Sequence, residues 1–235
     1  MRGYGQYCPI ALAAEVFAER WTPIIIRNLH LGCERFTEIL DGAPGLPRSV
    51  LSQRLRSLER TGVVHRTRTG RATAYTLTAC GRELAEVCLT LGAWGARWRE
   101  ARPEDQDPYL ALWTLSRMIV PGLVPRPRVV VRFQITDRPP PNLFWLVLSR
   151  TGNEVCAHSP GFPEDGQITT DTAGLVRWYA SQSALTGQIT APRWLRDSLT
   201  LWGRLNPFSR TTDGVPAVAG ARPGSPAADL PRPPG

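Results

Sequence analysis

The stretch Pro47-Arg48-Ser49-Val50-Leu51-Ser52-Gln53-Arg54-Leu55-Arg56-Ser57-Leu58-Glu59-Arg60-Thr61-Gly62 decides the reading of the fold. Wound as a helix, it sets Leu51, Leu55 and Leu58 at i, i+4 and i+7, a narrow apolar stripe of the kind that lies on a core. The opposite face carries Ser49, Gln53, Arg56 and Arg60 and no carboxylate. A helix entering the major groove of DNA needs such a face, because Arg reads guanine edges, Gln reads adenine edges, and Ser reaches bases or phosphates. Pro47 suits a helix start and Gly62 a stop. Pro47 offers no side-chain cap, an omission that costs about 1 kcal/mol.

Working outward, Arg35-Phe36-Thr37-Glu38-Ile39-Leu40 puts Phe36, Ile39 and Leu40 on one side of a short first helix, and Asp41 to Gly45 supplies the turn. Together these make a helix-turn-helix. After Gly62 the chain reads as a strand (Val63 to Thr67), a tight basic loop (Arg68 to Arg71) and a second strand (Ala72 to Leu77), the layout of a winged helix. From Arg48 to Arg71 seven arginines face one acid, Glu59. A solvated basic face would also show such a run, but here it coincides with the turn and the hairpin. The candidate contacts to double-stranded DNA are Arg48, Ser49, Ser52, Gln53, Arg56 and Arg60 on the helix, with Arg68 and Arg71 on the wing.

Residues 8 to 32 read as two apolar helices divided near Arg20 to Pro23, and residues 78 to 99 as a long helix capped by Thr78. On that long helix Leu84, Val87, Cys88, Leu91, Trp94 and Trp98 share one side at helical spacing. A lone winged helix has little use for two tryptophans at its far end. They either pack on the second half of this chain or form a seam with another copy.

Cys8-Pro9, Trp21, the Ile24 to Leu31 helix, Arg35-Phe36 with Glu38, Gly45, Leu51-Ser52-Gln53-Arg54-Leu55, Leu58-Glu59, Gly62-Val63-Val64, Tyr75-Thr76-Leu77-Thr78 and Gly81 occur in one order. Over residues 6 to 100 the chain thereby resembles the HxlR-type winged-helix transcriptional regulators. The resemblance implies a homodimer whose terminal helices, here carrying Leu84, Leu91, Trp94 and Trp98, pair two subunits and set two recognition helices on successive turns of DNA. It also makes Cys8 a candidate redox sensor, since some such regulators carry a sensing thiol at that position. Physically, a Cys near a helix N-terminus can have its thiolate stabilised by unpaired backbone N–H groups; a small buried hydrophobe is the plainer alternative. The chain departs from the pattern in having Pro47-Arg48 where such regulators usually place a Ser or similar cap followed by Pro, and in lacking the proline pair of the wing.

With 235 residues, one or two domains are expected. All 28 basic residues are Arg, and the formal charge of +8 is uneven: +6 over residues 1 to 102 and +2 over 103 to 210. Affinity for nucleic acid therefore belongs to the first half. Five scattered cysteines (8, 33, 80, 88, 156) argue for a reducing cytoplasm. No leader-like segment opens the sequence and no apolar run reaches a membrane span, so neither secretion nor a membrane is expected. The three histidines (30, 65, 158) form no ligand cluster with cysteine, and no metal or cofactor is expected. Nor does any nucleophile stand with a base; His158 beside Ser159 is the nearest pair, and adjacency alone does not make catalysis.

Residues 102 to 108 turn polar and Pro-containing, as in a linker. A helix over Tyr109 to Ile119 follows, then strands at Val129 to Thr136, Leu143 to Leu148, Glu154 to His158 and Gln167 to Thr170, expected to run antiparallel. The Leu143 strand is apolar on both faces and must lie between two apolar layers. Helices over 172 to 182 and 192 to 205 flank a short Gly187 to Thr190 piece. This order resembles the sterol-carrier-protein type 2 fold, which implies an apolar tunnel and a small apolar ligand. Phe133, Phe144, Leu146, Trp178 and Trp194 are its candidate lining, or else plain core. Residues 207 to 235, rich in Pro and Gly, read as a disordered tail.

The expectation is thus an α+β chain: a winged helix-turn-helix at 1–101, a linker at 102–108, a smaller sterol-carrier-like α+β domain at 109–206 and a tail. It reads as a cytoplasmic, dimeric, sequence-specific DNA-binding regulator modulated by an apolar ligand or by thiol chemistry. The alternative is an apolar-ligand or lipid carrier with an accessory DNA-binding module.

Overall fold

The computed structural model describes residues 3–70, 72–99 and 102–208. Arg71 and the expected tail beyond residue 208 lie outside the described residues. The N-terminal half runs α1 (Pro9–Phe17), α2 (Thr22–His30), α3 (Phe36–Asp41), α4 (Arg48–Arg60), β1 (Val64–Thr69), β2 (Ala72–Leu77) and α5 (Ala79–Trp98). Leu51, Leu55 and Leu58 of α4 are all buried, joined in one core by Ile25, Ile26, Ile39, Val63, Val64 and Ala85. α4 has no side-chain cap at Pro47. Its other end is closed by backbone: Gly62, at φ +72, lets its own N–H reach Glu59 O and the Val63 N–H reach Leu58 O.

The wing differs from expectation in length. β1 continues through Thr69, so Arg68 is a strand residue opposite Thr73 and Thr69 pairs with Ala72. Gly70, at φ +61, supplies a left-handed conformation where the hairpin reverses. The hairpin is anchored at its base, where the Tyr75 N–H donates to Glu34 O at 2.8 Å and the Thr78 N–H to Val63 O at 3.1 Å. Thr78 also caps α5, accepting from the Gly81 N–H at 3.1 Å.

The C-terminal half contains α6 (Pro108–Met118), β3 (Arg128–Ile135), β4 (Leu143–Ser149), β5 (Asn153–Cys156), β6 (Gly166–Thr170), α7 (Thr172–Tyr179), β7 (Gln188–Thr190) and α8 (Arg193–Trp202). The sheet order is β5-β4-β3-β6-β7. Strands β3, β4 and β5 form an antiparallel meander, but β6 pairs parallel to β3, which corrects the all-antiparallel expectation. The reason is connectivity: residues 157–165 carry the chain from one edge to the far side of β3 rather than turning back beside β5.

One face of the sheet packs beneath α6, α7 and α8 in a core that includes Val131, Phe133, Phe144, Leu146, Ile168, Leu175, Trp178 and Leu199. The other face buries Val130, Trp145 and Val147 in a smaller cluster. There the Trp145 Nε1–H donates to Glu164 at 2.8 Å and Asp165 exchanges hydrogen bonds with the Val130 backbone. The doubly apolar pattern of β4 thus has its explanation in two covered faces.

Helix α6 belongs to both cores. Leu112, Leu115 and Ile119 enter the sheet domain, whereas Trp113 is buried among the winged-helix residues. A Cβ added at Gly42 would lie 2.1 Å from the Trp113 ring, so the end of α3 accepts this indole only because residue 42 is glycine. From α7, Tyr179 lies within electrostatic reach of Arg27 of α2, and the Thr114 hydroxyl of α6 donates to Leu110 O at 2.8 Å. Burial pulls the Arg27 guanidinium below its ordinary range, opposed chiefly by Tyr179.

Candidate nucleic-acid interface

Helix α4 is held as a rigid rod, the condition for side chains that must meet base edges. Besides its leucine stripe, Arg54 pairs with Glu19 at 2.5 Å, and Arg48 lies 5.2 Å over the Phe36 ring. The α3 turn is fixed by buried polar groups. Arg27 donates to Gly42 O at 2.6 Å and to Asn28 Oδ1, and Asn28, fully buried, donates to Ile39 O at 2.8 Å. Glu38 reaches back to accept from the Glu34 and Arg35 N–H groups at the start of α3.

Arg48, Ser49, Gln53, Arg56 and Arg60 are exposed and Ser52 is half-buried. The only acid of α4, Glu59, is one residue, about 100°, round from Arg60. Arg66 and Arg68 are exposed on β1. The surface that results is cationic, rich in donors and built on two elements pinned to the same core, a combination that can neutralise phosphates while presenting Gln and Arg to bases.

The other sequence-derived residues fall as follows. On α5, Leu84 packs toward the core, whereas Val87, Leu91, Trp94 and Trp98 are exposed, the two tryptophans at 55% and 67%. Among the described residues both tryptophans thus stay largely exposed, while Phe208 of the C-terminal half lies against Gly92 on the same helix. Ile10 and Leu12 of α1 are exposed as well. Cys8 is half-buried at the N-terminal boundary of α1. Cys33 and Cys88 are pushed up to about 11 by burial. Phe133, Phe144 and Leu146 are fully packed, and Trp194 lies partly buried under Arg126 at 4.2 Å. Trp178 stacks on Phe133 and also borders a cleft against α8.

Sequence reasoning missed the Arg27–Asn28 pair and the Arg54–Glu19 bridge. Their signal was faint: an Asn on the apolar side of α2, and an Arg between the leucines of α4. No group of three or more His, Cys, Asp or Glu suited to a metal occurs among the described residues, and no described helix is long and apolar enough to cross a membrane.

Residues 16–103 match the HxlR-like helix-turn-helix family. The HTH-type transcriptional regulator YvaP of Bacillus subtilis is 35% identical over 97 residues, which are 40% of this chain and 90% of YvaP. The regulator sll1512 of Synechocystis is 32% identical over 99 residues, 41% of this chain and 73% of its own length. Among solved structures, the redox regulator HypR in its oxidized form is 30% identical, with 40% of this chain and 100% of HypR covered at a TM-score of 0.38. Because these sequence relatives align along most of their own length, the chain belongs to the HxlR-like helix-turn-helix family of transcriptional regulators.

Proposed function

We propose that the protein is a sequence-specific regulator that binds double-stranded DNA as a homodimer. The observation that carries this reading is the exposed α4 face of Ser49, Gln53, Arg56 and Arg60, free of carboxylates and accompanied by the exposed Arg66 and Arg68 of β1. The exposed Val87, Leu91, Trp94 and Trp98 stripe supports self-association, since an apolar band of that length on one helix is otherwise left in water. Modulation acts through the C-terminal domain or through Cys8. The carrier alternative has less behind it: Phe133, Phe144 and Leu146 are packed core rather than cavity wall, and the likeness to sterol carrier protein rests on element order.

Binding of the full chain to a duplex at several salt concentrations tests the reading. If about six phosphates are neutralised, log K should fall against log salt with a slope near roughly −5. A slope near zero would remove the electrostatic basis of the assignment.

A further inference from the structure

The end of α7 is built in an unusual way. Its last turn closes with the Gln182 N–H on Arg177 O and the Ser181 N–H on Trp178 O, a motif whose left-handed residue is ordinarily glycine. Here that residue is Ser181, at φ +56. A serine is held in this conformation by its surroundings, because its hydroxyl donates to Gly203 O at 2.6 Å and so ties the end of α7 to the end of α8. Strain of this sort persists where a local shape is required, often at a ligand site.

The shape it produces is a cleft of about 320 Å³ between α7, β7 and α8. That volume is at the small end of ligand pockets, roughly 300–1,000 Å³. Trp178, Leu185, Ile189 and Leu199 form its apolar floor, and Arg196 and Arg204 stand at its rim. No carboxylate of the described residues lines it. Arg196 spends its Nε–H on Ala191 O, and neither arginine has an ion-pair partner among the described residues. Two guanidinium groups above an apolar floor, with no acid to answer them, complement a ligand with an anionic head and a short apolar body.

We propose that this cleft binds a small amphipathic carboxylate. The inference rests on the reading that the C-terminal domain receives the regulatory signal, and it adds the place and the chemistry. The position suits the role. Tyr179, between Trp178 of the floor and the strained Ser181, lies within electrostatic reach of Arg27, and Arg27 holds the carbonyl of Gly42 at the helix-turn-helix turn. An occupant that shifts the end of α7 therefore bears on the support of the recognition helix.

Calorimetric titration of the full chain with octanoate and with octanol provides the test. Octanoate should bind at least about tenfold more tightly than octanol, the difference expected from charge-assisted hydrogen bonds to arginine. Arg196→Ala with Arg204→Ala, both on the surface, should remove that preference and leave octanol binding unchanged. Equal affinity for the two probes, an unaltered preference in the double variant, or no binding of octanoate would overturn the proposal. Affinity for duplex DNA is measured separately without either probe, so loss of the regulator reading and loss of the cleft are distinguishable results.

Discussion

Gln53 and Arg68 both face solvent yet should behave differently when removed. Gln53 and Arg56 lie on the outward face of α4, so Gln53→Ala or Arg56→Ala should relax preference at one base position by roughly 1 to 3 kcal/mol. Arg68→Ala should instead weaken cognate and random duplexes alike and flatten the salt slope by about one. Competition between the two duplexes separates these outcomes; equal losses for the Gln53 variant would deny it a reading role. The thiols divide in the same way. Cys33 and Cys88 ionise near 9.0 when unfolded and near 11 in the fold, so unfolding releases protons in that window. Stability present at neutral pH should therefore decline between about pH 9 and 11, visible in urea melts. At pH 8 both should resist iodoacetamide while Cys80, which is exposed, is modified. If Cys8 senses oxidants, Cys8→Ser should bind its operator normally and ignore diamide that releases the parent protein; identical responses would leave Cys8 as packing.

Helix α5 presents Val87, Leu91, Trp94 and Trp98 at i, i+4, i+7 and i+11, the spacing of a helix seam. Replacing Trp94 and Trp98 with Gln should give monomers in sedimentation and cost most of the operator affinity, because two half-sites would no longer be engaged together. A variant that stayed dimeric would place the seam elsewhere, with exposed Ile10 and Leu12 of α1 the next region to probe. Elements whose period is strong were legible from sequence: α4 by its leucines, α5 by its stripe and its Thr78 cap, β4 by its unbroken apolar run. What was not legible depended on partners distant along the chain. Nothing local to residues 166–170 says that β6 will lie parallel to β3, and Arg68-Thr69 carries no apolar residue to mark that β1 continues. The Arg27–Asn28 pair escaped for a related reason, as a buried polar side chain is recognisable only once the carbonyls that satisfy it are known.

The two halves share α6, and this governs how the whole molecule should unfold. Trp113 fills a slot against Gly42 in the winged-helix core while its neighbours Leu112 and Leu115 sit in the other core. Calorimetry should therefore show a single transition for the intact chain. Trp113→Ala should cost about 3–5 kcal/mol and split the melt into two steps, with the sheet domain retaining its own core. One unsplit transition at lower temperature would mean that the coupling runs through other interactions, such as the electrostatic one between Tyr179 and Arg27. The same arrangement dictates where this regulator could be cut for grafting. A chimera joined in the polar stretch before Pro108 would hand the DNA-reading half to a foreign sensor with an open socket at Gly42. The workable splice lies after Met118, so that the donor contributes α1 to α6 and the indole travels with the socket that it fills.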